Sequence, residues 1–191
     1  PGITKPESQP KSTKEKQNGK ENPVFVYFDG SLSMKGFVVD QPGQKNLYRS
    51  IVDDLQQIAE NVGAKTYYHK FGNEVHAIKG TEAAKATRES FYECDKSVAE
   101  CDNQHTAIQL PFKDAKAKTD ATYIIVTDLF MSSKHLVAGR RQQLVQPIKS
   151  ILRKGKSVAV VGIMSSFKGV VYDIPLSAGG TTSYSKAQQR P

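Results

Sequence analysis

Several features that would point to a particular class of protein are missing from this sequence of 191 residues. No apolar stretch approaches the roughly 18 residues that a membrane-spanning helix needs, which argues against a bilayer span. The two cysteines, Cys94 and Cys101, fall short of a structural zinc site. No Gly-x-Ser-x-Gly elbow is present, which argues against a serine hydrolase of that type.

The charge excess of the chain is modest. The formal net charge is +8, and residues 1–22 carry five lysines against three glutamates, which leaves +6 for the remainder. Such an excess favours solubility and attraction to acidic surfaces, but it does not indicate a nucleic-acid binder. The length is that of one domain with a sizeable core.

The first 22 residues differ in composition from the rest of the chain. Their one large apolar residue is Ile3, and the others are mainly Pro, Lys, Gln, Glu, Ser and Gly. Such a segment cannot bury enough surface to offset the entropy lost on ordering. We therefore expect residues 1–22 to be a disordered Lys/Pro-rich tether and residues 23–191 to form the folded domain.

The pattern of apolar residues predicts strands alternating with helices. The run Val24–Phe28 is typical of a strand buried on both faces. Apolar residues recur at helical spacing from Leu47 to Val62, and two short strands joined by Gly72 and Asn73 predict a β-hairpin. Further predicted elements are helical segments over 81–92, from 106 onward and over 136–154, and strands over 121–126, 157–164 and 169–174.

This alternation predicts an α/β domain with a mainly parallel sheet and helices on both faces. The hairpin would add one antiparallel edge strand. We expect a Rossmann-like three-layer sandwich.

Oxygen-bearing side chains follow two of the predicted strands. Asp29, Ser31 and Ser33 come directly after the first strand, and Asp128 closes the strand over 121–126. In open parallel sheets, ligands bind outside the carboxyl ends of the strands, where Thr106 could join the same crevice. Hard oxygen donors of this kind suit Mg²⁺.

Two other interpretations compete with a metal site. Aspartate and serine after a strand are common loop and helix N-cap residues, which satisfy backbone donors without any ion. A phosphatase with an aspartyl-phosphate intermediate would place a second carboxylate close to Asp29, but Ser31 occupies that position.

The loop from Asp29 to Gly36 resembles the first motif of von Willebrand factor type A (vWA) domains. That motif, Asp-x-Ser-x-Ser, belongs to a metal-ion-dependent adhesion site (MIDAS), which a threonine and a second aspartate complete. The resemblance implies that Ser31, Ser33 and Thr106 supply hydroxyl ligands, and that Asp29 and Asp128 bind directly or through water.

This sequence departs from the family pattern at several positions. Leu129 stands where the family often has glycine after the aspartate, and Gln104 and His105 precede Thr106 where glycine is common. The chain ends at Pro191 without the helix that usually closes such a domain. We therefore expect the natural protein to continue further.

The resemblance implies a soluble protein-binding module that holds Mg²⁺, or Mn²⁺ or Ca²⁺, and engages a carboxylate of a protein partner. It implies no enzymatic activity. The alternatives are a metal-dependent phosphoryl or ester hydrolase in the same crevice, and an interaction domain of this fold with an empty metal site. A pairing of Cys94 with Cys101 would favour a compartment outside the cytoplasm.

Overall fold

The structure is a computed structural model that describes residues 22–40, 43, 46–61, 64–94, 103, 106–117, 120–130 and 141–184. The predicted tether therefore lies outside the described residues, apart from Asn22. Cys101 and the first part of the helix predicted over 136–154 also lie outside them.

Four strands form the central sheet, in the order β3-β2-β1-β4. They are β1 (Val24–Asp29), β2 (Thr66–Phe71), β3 (Val75–Ile78) and β4 (Thr122–Val126). β1 pairs in parallel with β2 on one side and with β4 on the other. β3 runs antiparallel to β2 at the edge, as the predicted hairpin requires. The α/β class with one antiparallel edge strand is thus confirmed.

β1 is the centre of the hydrophobic core because its side chains are buried on both faces of the sheet. Val26 and Phe28 belong to a core cluster that also contains Tyr48. Phe25 and Tyr27 belong to a second cluster on the opposite face. The unbroken apolar run in the sequence reflects this two-sided burial.

The helices are α1 (Leu32–Lys35), α2 (Leu47–Asn61), α3 (Gly80–Ala83), α4 (Gln109–Ala117) and α5 (Arg141–Arg153). α2 confirms the helix predicted from apolar spacing. The helix predicted over 81–92 forms only in part, because α3 is followed by two 3₁₀ turns, Ala84–Thr87 and Glu89–Phe91. Arg88 between those turns is extended, with φ −123° and ψ 148°, so it interrupts the helix.

The strand predicted over 157–164 is wrong. The segment has no regular secondary structure, and Val160, Val161 and Met164 are 77%, 79% and 93% exposed. Apolar β-branched residues give a segment strand propensity, but a strand also needs a neighbour to pair with. Within the described residues β4 pairs only with β1, and a cavity of about 480 Å³ lies between β4 and residues 156–161.

The last described strands form a separate ribbon. β5 (Val171–Pro175) pairs antiparallel with β6 (Thr181–Tyr184), and the two make a sheet of their own. The strand predicted over 169–174 therefore exists, but its partner is β6. Gly179 and Gly180 lie in the connection with φ of 87° and 83°, a conformation that favours glycine.

Among the helices that the structure describes, none has the length and apolar character needed to cross a membrane. This agrees with the absence of a long apolar run in the sequence.

Candidate metal centre

Asp29 is the last residue of β1, at the carboxyl end of the sheet, and its side chain is fully buried. Oδ1 accepts a hydrogen bond of 2.9 Å from the backbone N–H of Ser31, which is the local turn that aspartate commonly makes after a strand. The ordinary loop interpretation therefore describes this one contact correctly. It does not describe the partners that come from distant parts of the chain.

The hydroxyls of Ser31 and Ser33 lie together on the loop that follows Asp29. Their Oγ atoms are 2.9 Å apart. Ser31 stands at the N-cap of α1 but makes no capping hydrogen bond with its side chain. The N-cap interpretation thus does not account for its hydroxyl.

Thr106 reaches the site from the segment before α4. Its Oγ1 donates to Oδ1 of Asp29 at 3.4 Å, and its side chain is buried. The next residue fixes this segment, because the N–H of Ala107 donates to the carbonyl of Gly72 at 2.9 Å. The structure therefore brings Thr106 to Asp29, although 77 residues separate them in the chain.

Thr127, which follows β4, is a further site residue that the sequence reasoning missed. Its Oγ1 donates to Oδ2 of Asp29 at 2.7 Å and accepts the N–H of Leu129 at 3.1 Å. The signal in the sequence was its position directly before Asp128, at the end of the strand next to β1.

Asp128 is close to Asp29 but does not bond to it. Its Oδ1 accepts the N–H of Phe130 at 2.9 Å. Its negative charge raises the pKa of both Asp29 and Tyr48, so the carboxylate lies within electrostatic range of each. Four of the five predicted ligands are linked by hydrogen bonds, and Asp128 lies near them.

The Asp29 carboxylate is held in an unfavourable electrostatic environment. Burial raises its pKa from the usual 3.8 to about 6, although hydrogen bonds from Ser31 and Thr127 lower it, and the charge of Asp128 adds to the rise. No lysine, arginine or histidine among the described residues forms an ion pair with it. A buried carboxylate usually has a cation partner or binds a metal.

This donor set fits a hard divalent cation. Three hydroxyls and two carboxylates supply the oxygen ligands that Mg²⁺ and Ca²⁺ prefer, and the buried charge of Asp29 favours the binding of a cation. Within the described part of the chain, no group of three or more His, Cys, Asp or Glu side chains could hold a metal. The candidate centre is not of that type, because most of its donors are hydroxyls.

The rim of the site on the β4 side is apolar and conformationally strained. Leu129 has φ 58°, the left-handed region that a branched side chain rarely adopts, and it is 58% exposed. Phe130 beside it is 37% exposed. Thr127 and Leu129 also border the apolar cavity between β4 and residues 156–161.

Cys94 is disulfide-bonded. Cys101, the only other cysteine of the sequence, lies outside the described residues.

Comparison of the chain with protein-family models, with curated proteins and with solved structures finds no match. The resemblance to vWA domains therefore stays a prediction from the sequence motif.

Proposed function

We propose that this protein contains a vWA-like, Rossmann-like three-layer domain that binds a divalent metal ion and, through the ion, an acidic group of a protein partner. Asp29, Ser31, Ser33, Thr106 and Asp128 would hold the ion. The observation that supports this proposal is the convergence of side chains from three separate loops on one buried carboxylate that has no cation partner among the described residues.

The choice of ligands decides the chemistry of the site. Hydroxyl ligands neutralise less of the ion's charge than carboxylates would, so a bound Mg²⁺ would keep a strong attraction for a further carboxylate. Asp29 and Asp128 would place negative charge around the ion, while Thr127 holds one oxygen of Asp29. The proposed role is recognition rather than catalysis.

The surroundings of the site agree with a protein partner. Exposed Leu129 and Phe130 adjoin the proposed ligands, and exposed apolar side chains beside a polar site are common in protein interfaces. The positive net charge of the chain would favour an acidic partner. The hydrolase alternative stays a prediction, since no contact among the described residues assigns a general base to the site.

Thermal unfolding in the presence of Mg²⁺, Mn²⁺ or EDTA tests the proposal. An ion that binds only the native state raises the melting temperature by mass action. We expect Mg²⁺ and Mn²⁺ to stabilise the wild type relative to EDTA and to leave Asp29→Ala unchanged. Asp120→Ala, which removes an exposed carboxylate, is the matched control and should respond as the wild type does.

A wild-type melting temperature that is the same in millimolar Mg²⁺ and in EDTA would contradict the proposal. It would favour the interaction domain with an empty metal site. Hydrolysis of a generic phosphoester by the metal-loaded protein would favour the hydrolase instead.

A further inference from the structure

Asn103 connects the loop of the candidate metal centre to the chain that precedes Cys94. Its backbone carbonyl accepts the N–H of Leu32 at 2.8 Å. Its side-chain Nδ2 donates to the carbonyl of Tyr92 at 2.8 Å, and the residue is only 7% exposed. One buried residue therefore joins two segments that are far apart in the sequence.

The contact with Leu32 acts directly on the proposed ligands. Leu32 lies between Ser31 and Ser33, whose hydroxyls face each other at 2.9 Å. Fixing its N–H fixes the backbone that carries both hydroxyls. Thr106, three residues after Asn103, donates to Asp29, so a displacement of Asn103 would disturb donors on two loops.

The contact with Tyr92 links Asn103 to the segment that ends in the disulfide-bonded Cys94. Cys94 is two residues beyond Tyr92 and is disulfide-bonded. Cys101, the only other cysteine of the sequence, comes two residues before Asn103. A disulfide restricts the separation of the residues it joins and lowers the entropy cost of holding flanking contacts in place.

We propose that Asn103 is a positioning residue of the metal centre and that the disulfide of Cys94 keeps it in position, so that reduction weakens metal binding. This inference rests on the proposed metal-binding function. In the reduction, a dithiol reductant supplies two electrons and two protons. The S–S bond breaks to give two thiols, and the reductant becomes a cyclic disulfide.

Neighbouring groups outside the ligand set can change metal affinity by roughly 10- to 100-fold when they are removed. Calorimetric titration with Mg²⁺ measures the dissociation constant of the oxidised protein, of the protein reduced with dithiothreitol, and of Asn103→Asp. The aspartate has nearly the same shape, but its ionised carboxylate has no donor for the carbonyl of Tyr92. We expect the dissociation constant to rise about tenfold or more on reduction and in the variant.

Two further variants separate positioning from general stability. Cys94→Ser combined with Cys101→Ser should bind Mg²⁺ as weakly as the reduced wild type, with no change on adding reductant. Phe25→Leu, at the opposite end of β1, should lower the melting temperature and leave the Mg²⁺ dissociation constant unchanged.

The outcomes distinguish this inference from the function on which it rests. Equal Mg²⁺ affinity in the oxidised and reduced wild type would overturn the inference and leave the metal site intact. No Mg²⁺ binding by the oxidised wild type would overturn both. If Asn103→Asp fails to fold, the Mg²⁺ dissociation constants of the oxidised wild type, the reduced wild type and the variant with Cys94→Ser and Cys101→Ser still test the inference.

Discussion

The Asp29 carboxylate is fully buried in surroundings that disfavour its charge. Its backbone and hydroxyl partners satisfy both oxygens, but burial still raises its pKa to about 6. A residue that destabilises the metal-free protein and offers charge to a cation has the properties expected of a binding site.

We expect the free energy of unfolding to depend on pH because the Asp29 carboxylate is buried. Because the pKa of Asp29 is higher in the folded state than its usual 3.8, its contribution to stability falls as the pH rises from about 4 to about 6 and then levels off. In EDTA, Asp29→Asn should become more stable than the wild type across this range, by up to about 3 kcal/mol at pH 7. Urea denaturation at a series of pH values measures the difference.

The exposed carboxylate of Asp120 supplies the control for this experiment. Asp120→Asn should follow the wild-type curve. A stability difference between Asp29→Asn and the wild type that does not change between pH 4 and pH 7 would show that the carboxylate is not destabilised by burial.

Thr127 should be required for the position of Asp29. Thr127→Val removes the donor to Oδ2 while keeping the shape of the side chain, so it leaves one buried oxygen without a partner. We expect a loss of about 1 to 3 kcal/mol in the free energy of unfolding, measured in urea. Thr127→Ser keeps the hydroxyl and should retain most of the stability, and equal stability of the valine variant would refute the role.

The residues of the site differ in how far the sequence could predict them. Asp29, Ser31 and Ser33 lie within five positions of one another, so their proximity follows from local chain geometry. Strand-end reasoning placed Thr106 in a loop that could reach the same crevice, but its role as a ligand came from the resemblance to a known motif. Asn103 could not be predicted, because its contribution to the site loop is a backbone carbonyl, and nothing in its side chain signals such a contact.

At the scale of elements, the loop after β4 carries the proposed ligand Asp128 and has a strained backbone at Leu129. Leu129 has φ 58°. The side chains of Thr127 and Asp128 accept hydrogen bonds from the N–H groups of Leu129 and Phe130, and these bonds hold the turn in this shape. Glycine adopts such a conformation at little cost. Strain of this kind is often found at binding sites.

Replacing Leu129 with glycine should therefore not produce the usual destabilisation. At an ordinary exposed position glycine is less stable than alanine by roughly 0.5 to 1 kcal/mol, because it gains freedom in the unfolded chain. The left-handed backbone costs alanine about 1 to 2 kcal/mol. We expect Leu129→Gly to be at least as stable as Leu129→Ala in urea, and a less stable glycine variant would contradict the strain.

Some of the elements could be predicted from the sequence and others could not. β1 and α2 were predictable, since a long apolar run and a clear helical spacing decide the conformation locally. The segment over 157–164 has a strand-like composition, as β1 does, but a strand must lie against the edge that it pairs with. Here a cavity separates residues 156–161 from β4, and composition does not report that separation. The helix over 81–92 was only partly predictable, because the extended backbone of Arg88 divides it into turns.

At the scale of the whole molecule, the site exists because the strand order brings distant loops together. β1 lies between β2 and β4, so the loops that follow β1 and β4 open at the same edge of the sheet. The segment carrying Thr106 is anchored to the same edge through Gly72, which follows β2. The mainly parallel arrangement of these strands was predicted from the alternation of elements, and the candidate site follows from it.

The most direct test of the central claim is the number of Mn²⁺ ions bound per chain, measured from the loss of the free-ion signal in electron paramagnetic resonance. We expect one bound Mn²⁺ in the oxidised wild type, displaced by excess Mg²⁺, and none at the same concentration in a protein carrying Ser31→Ala and Ser33→Ala. An undiminished Mn²⁺ signal in the wild type, or equal binding by the double variant, would contradict a metal centre at this site.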